Sequence, residues 1–335
     1  MSPWQKLASI TRKWNFNALA EKFERVWRED ATLRRVIKNS SHLLSGNVFA
    51  AGLGFAQGIL AVRLIGITDW GLVTTVITFA SNINRLLTFR MSEVVVKRLG
   101  EALATGKNSQ AAAAVKAAML AETATSIVAY LVLLLLAPWA ANVFAKNSQT
   151  TTLFLIYGLI LLSNLVAESS TGVLQAARRF DWIARMNVIQ SLASTGLILY
   201  AYLSGKGILS ILLAYLVGKS INGIGLALAA WRESGKLLGA GWWKVPLSAL
   251  PERRSMWAFM VNTNLNGTVN LFTRDNIPLY LAALLNTTQV GYFKLAQSLI
   301  NLILLPLDPF IWPTYTEISR TVAQKQWHAT RQLLR

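Results

Sequence analysis

The chain has 335 residues, of which 53% are hydrophobic and only 14% charged, and 33 Lys and Arg against 15 Asp and Glu give a formal charge of +18. A water-soluble domain needs about a quarter of its residues charged to cover its surface; this composition, with a mean hydropathy of +0.41, excludes one. With no cysteine and two histidines, a disulfide framework, a thiolate metal site and a His-rich metal centre are excluded too.

Residues 1–41 place Trp4, Trp14, Phe16, Phe23 and Trp27 among many Lys and Arg, the pattern of a basic segment lying on an anionic membrane surface. They hold no apolar run of the kind a cleaved signal peptide needs. From residue 42 onward, apolar runs of about 20 residues recur, each able to cross ~30 Å of hydrocarbon. They predict spans over 42–63, 70–89, 112–136, 151–175, 186–203, 208–230, 255–284 and 290–313. The expected class is all-α, a polytopic transmembrane helical bundle of eight spans. Residues 42–230 would form a six-helix lobe and 231–254, with Gly, Pro and charge together, a linker. Residues 255–315 would open a second lobe with its first two helices, and 316–335 a basic amphipathic tail.

Lys and Arg crowd the segments before span one and after spans two, four, six and eight, while the intervening loops hold only Lys146 and Lys206. The positive-inside rule then puts both termini in the cytoplasm and the chain in the cell membrane. It also absorbs the net charge, so nucleic acid is not an expected partner; membrane lipid is.

Ionisable groups at membrane depth cost about 2.5–3.5 kcal/mol each on insertion scales, which makes each a candidate for function. Arg63, Arg85, Lys116 and Lys294 stand near span ends, where snorkelling is an alternative explanation. Lys219 lies mid-span beside Gly218, Ser220 and Asn222. In span seven Asn262, Asn266, Asn270 and Arg274 recur every fourth residue, one stripe on a helix, lining either a wet cleft or a hydrogen-bonded helix contact. Asp275 points about 100° away from Arg274 and is placed to meet Lys294 or Lys219, or to bind a coupling ion. Glu122 and Glu168 are further ion-coupling candidates, with pairing to Lys116, Arg85 or a neighbouring helix as the alternative. No phosphate-binding loop, G-x-S-x-G, HExxH or His/carboxylate cluster occurs, so neither a cofactor nor an enzyme activity is expected. Gly54 and Gly58 form a GxxxG pair in span one, a site of close helix approach or of a bend.

Several segments resemble one family. LLSGNVF (43–49), RLIGITDWGLV (63–73), TFRMSEVVVKRLGEAL (88–103), RRFDWIARMNVIQS (178–191) and RDNIPLYLAALLNTTQVGYFKLAQSL (274–299) are similar, in that order and spacing, to the polysaccharide or lipid-linked oligosaccharide flippases of the multidrug/oligosaccharidyl-lipid/polysaccharide superfamily. The resemblance implies two bundles around a cationic cavity, alternating access, and a polyprenyl-diphosphate-linked glycan as cargo. It implies Arg63, Arg85, Lys219, Arg274 and Lys294 as cavity residues, with Asp275 as the family-type acid; Asn266, from the span-seven stripe, is the further substrate-binding candidate. Such flippases have twelve to fourteen spans, so the chain resembles a C-terminally shortened member. The competing readings are a cation-coupled drug antiporter of the same superfamily, which would show an acid-lined cleft, and a non-transporting partner of polysaccharide assembly proteins. A membrane glycosyltransferase would need a large outer loop, and the outer loops here are short.

Overall fold

The computed structural model describes residues 31–87, 91–250 and 275–304, with side chains from Val48 onward except at 103–104. Within these limits the chain is helical throughout, and five of its helical segments are long and apolar enough to cross a membrane. The interfacial segment before residue 31, Asn266 and Arg274 with the rest of their stripe, and the tail after 304 lie outside the described residues.

Helix α1 (Ala31–Leu87) contains the first two predicted spans with no loop between them. Gly66 breaks it with φ 81 and ψ 166, a backbone state that glycine enters without penalty. The chain reverses there. Gly58 and Trp70 are twelve residues apart, about 18 Å along a straight helix, yet the Trp70 ring lies 3.7 Å from where a Cβ on Gly58 would sit.

After span two the sequence predicts a charged loop; the structure has instead a helix, α2 (Met91–Ala104). Its Met91, Val94, Val95 and Leu99 are buried, at a spacing that puts an apolar stripe on one face of a helix; the charges that suggested a loop occupy the other face. Helix α3 (Asn108–Phe144) is span three.

Span four is broken. It consists of α4 (Thr151–Gly158), α5 (Ile160–Ser163) and α6 (Ala167–Ala176), with a non-helical gap at Asn164–Val166. Helices α7 (Phe180–Leu203) and α8 (Ile208–Leu238) follow. The latter runs eight residues beyond the predicted end of span six, into the stretch expected to be linker. The remainder of that stretch turns back onto the bundle: Trp242 is buried, Trp231 and Trp243 stack with centroids 5.3 Å apart, and Lys116 Nζ donates to Val245 O at 3.1 Å. Finally α9 (Ile277–Leu284) and α10 (Thr287–Leu304) form a hairpin.

The buried apolar residues fall into two layers. One, toward the Gly66 end, includes Trp70, Phe79, Leu133, Phe154, Leu161, Ile198 and Leu212. The other, toward the basic end, includes Leu99, Val115, Val173, Met186, Leu226 and Trp242. Along each of α3, α7, α8 and the broken span four, the stretch between the two layers carries polar residues among apolar ones, and these polar residues set the site.

Candidate functional site

The mid-depth layer is a hydrogen-bonded belt. From span one, Gln57 Nε2 donates to Ser191 O at 3.0 Å and to Thr195 Oγ1 at 2.8 Å on α7. Asn222 on α8 donates to Asn187 on α7 at 3.1 Å, and Ser220 donates to Ser163 at 2.9 Å. The glycines of α8 permit this proximity: a Cβ on Gly218 would stand 1.9 Å from Ser194 Oγ, and one on Gly223 2.1 Å from Asn164 Oδ1. Buried polar groups must be paired, and here the helices come close enough to pair them.

Glu122, 2% exposed, belongs to the same belt. Its carboxylate accepts the backbone N–H of Glu168 and that of Ser169, each at 2.8 Å. A helix start leaves N–H groups without helical partners, and at α6 three of them are satisfied before the first helical bond, Ser170 N to Val166 O. Ala167 N donates to Asn164 O, and the Glu168 and Ser169 N–H groups to Glu122. The acid thus caps the second half of span four from a different helix. Of the alternatives open in the sequence, Glu122 takes the neighbouring helix, through its backbone and not through a Lys or Arg. Glu168 is exposed and accepts Ser92 Oγ at 2.8 Å.

Among the expected cavity cations, Arg85 on α1 and Lys219 on α8 are near enough to feel one another's charge. Both are exposed. Asp275 meets neither Lys294 nor Lys219 but pairs with Arg85, and beside this ion pair Asn82 donates to Asn276. Lys294 is half-buried on α10, its Nζ donating to Gln297 at 3.2 Å; the next residue, Leu295, lies 3.6 Å from a Cβ position on Gly58 of span one. Arg63 stands apart. It is exposed three residues before the Gly66 turn, whereas Arg85 is nineteen residues beyond it, about 28 Å along the helix. It has the position of a snorkelling cation at a span end.

Reasoning from sequence missed three features. Gln57 gave no signal beyond being one amide in an apolar helix. The pair Gly71 and Gly291 brings α1 and α10 into backbone contact: a Cβ on Gly71 would fall 1.7 Å from Thr287 O, and one on Gly291 2.3 Å from Ile67 O. Thr68 and Thr288 share a hydrogen bond of 2.9 Å next to them. The charged group Arg179, Asp181, Glu233 and Lys236 ties the start of α7 to the end of α8, with Arg179 2.9 Å from Glu233. Hydrogen bonding to Asp181 holds the Arg179 guanidinium charged beyond its ordinary range.

Three comparisons bear on identity. The fold resembles that of a multidrug resistance MATE family transporter of the MOP superfamily solved in an inward-facing conformation, with a TM-score of 0.64 and 15% identity, covering 84% of this chain and 64% of that one. A curated relative, the inner membrane protein YghQ of Escherichia coli (strain K12), is 27% identical over 158 residues, which are 47% of this chain and 44% of that protein. The chain thus aligns with less than half the length of that relative. The model of the family described as polysaccharide biosynthesis protein matches residues 36–315. This multi-pass membrane chain, with the helical fold of a MOP-superfamily transporter, belongs to the polysaccharide biosynthesis protein family.

Proposed function

We propose that the protein translocates a lipid-diphosphate-linked oligosaccharide across the cell membrane for polysaccharide biosynthesis, by alternating access. The observation that carries this reading is the placement of Arg85 and Lys219. Two exposed cations from different helices share one region of the bundle, with Asp275 as the acid paired there. Cations at membrane depth persist where they face an aqueous or ligand-filled space, and two repelling cations are best satisfied by an anion of more than one charge. A diphosphate provides it, while its polyprenyl tail remains in lipid. The hydroxyl and amide groups of the mid-depth belt offer donors and acceptors to a glycan. In this reading Arg274, Asn266 and Lys294 complete the wall, and Arg63 acts at the rim. The basic end faces the cytoplasm. In this reading the cavity opens toward that end, while the close contact at Gly71 and Gly291 keeps the other end shut.

The test is binding of a polyprenyl-diphosphate saccharide to purified protein in vesicles. Arg85→Ala and Lys219→Ala should each weaken it by roughly ten- to a hundredfold, the worth of a charged hydrogen bond of about 1.5–3 kcal/mol. Arg63→Ala should leave it within about threefold, as befits an exposed charge away from the site. Lys219→Arg should retain most of the binding, since a diphosphate accepts either cation. Unchanged binding in folded Arg85→Ala and Lys219→Ala proteins would overturn the diphosphate role.

A further inference from the structure

The cation site leaves Glu122 unused, and its surroundings give it a different part. It is a buried carboxylate, and no Lys or Arg forms an ion pair with it among the described residues. The neighbouring elements do carry charges: Glu93, Lys97, Arg98 and Glu101 on α2, Lys219 and Glu233 on α8, Arg85 on α1, and Lys116 on its own helix. The charge that acts on Glu122 is the carboxylate of Glu168, which repels it. Its negative charge is therefore met by the N-terminal end of α6, through the two N–H groups, the Ser169 side chain and the helix dipole. The Ser169 hydroxyl is fully buried and lies against the Glu122 carboxylate. A protonated Glu122 carries an O–H that needs an acceptor, and the Ser169 hydroxyl oxygen supplies one. The pocket thus holds partners for both forms of the acid.

We propose that Glu122 is a proton-operated splint for the broken span four. Its ionisation state sets whether α6 is held. In the charged form, two charge-assisted bonds close the helix start across the gap at Asn164–Val166. On protonation a Glu122 oxygen takes up a proton delivered from water, and the new O–H turns to the Ser169 oxygen. The bonds from the Glu168 and Ser169 N–H groups become ordinary neutral ones, weaker by about half. The gap then bends more freely. Any movement of α6 reaches α2, because a Cβ on Gly172 would stand 2.7 Å from Ser92 O and the two helices have no clearance between them. Neither the geometry nor the test requires the cargo to be a lipid-linked saccharide, so this inference goes beyond the transport reading and stands or falls separately from it.

The experiment is amide hydrogen exchange on the full chain in lipid nanodiscs between pH 5 and 8, corrected for the intrinsic rate. It reads the amides of residues 165–171. In the wild type, protection of Glu168 and Ser169 should fall at least about tenfold toward the acid end, the loss of one charged hydrogen bond. Glu122→Gln has the same shape but one acceptor and no titration; it should exchange fast and equally at every pH. Protection in the wild type that does not change with pH would overturn the proposal without any variant. A Glu122→Gln protein that keeps the wild-type pH profile would do the same.

Discussion

Two of the contacts that helix α1 makes with the α9–α10 hairpin and the residues leading into it are built on opposite principles. Toward the Gly66 end the contact is backbone on backbone, made possible by the absence of side chains at Gly71 and Gly291, and finished by one Thr–Thr hydrogen bond. Toward the basic end it is made by long polar side chains: Arg85 with Asp275, and Asn82 with Asn276. The first has no tolerance for added volume and gains by close dispersion contact. The second can part and re-form without a steric penalty, since Arg85 and Asp275 keep side-chain exposures of 60% and 44%. On the proposed alternating-access reading, opening at one end while the other stays closed needs such an asymmetry.

The difference can be broken most forcefully at the glycines. Gly71→Val should destabilise the folded protein by about 3 kcal/mol, the upper range for overpacking, because the new side chain meets the Thr287 carbonyl. Thermal unfolding in detergent measures it, and a loss smaller than that of Asn82→Ala would mean the contact is not a close one. Asn82→Ala comes next, at about 2 kcal/mol, since it leaves the buried Asn276 amide without its partner. Asp275→Asn should cost under about 1 kcal/mol, as exposed ion pairs do, and added salt should shrink even that. A double-mutant cycle on Arg85 and Asp275 sharpens the point: a large, salt-insensitive coupling would make this second contact as rigid as the first.

The spans were legible because length and apolarity suffice to cross a bilayer, and every predicted span that falls on described residues overlaps a helix. Boundaries followed charge, and charge misled at α2, where Lys97, Arg98 and Glu101 cover the outer side of a helix whose inner side is buried. The turn at Gly66 left no trace of polarity to find, as it needs a φ and not a loop. The break in span four was present in the letters, as Ser163, Asn164, Glu168, Ser169 and Ser170 within one apolar run, but only its cap shows why it is stable there. The cation candidates Arg85 and Lys219 came from depth alone. That Arg85 takes Asp275, 190 residues away, was beyond any local pattern. Glu122 was legible as costly; that it spends its charge on the backbone of another helix was not.

The Gly66 turn has a mechanical consequence. Two membrane-length rods meet at one residue, with no slack between them to absorb rotation. Gln57 rides on the first rod, tethered to α7; Gly71, Asn82 and Arg85 ride on the second, tethered to the hairpin. When either rod tilts, the other is dragged at the shared pivot. The joint transmits displacement between the first six spans and the hairpin as a bell crank does. A few added loop residues at the pivot would leave every contact intact and disconnect the stroke.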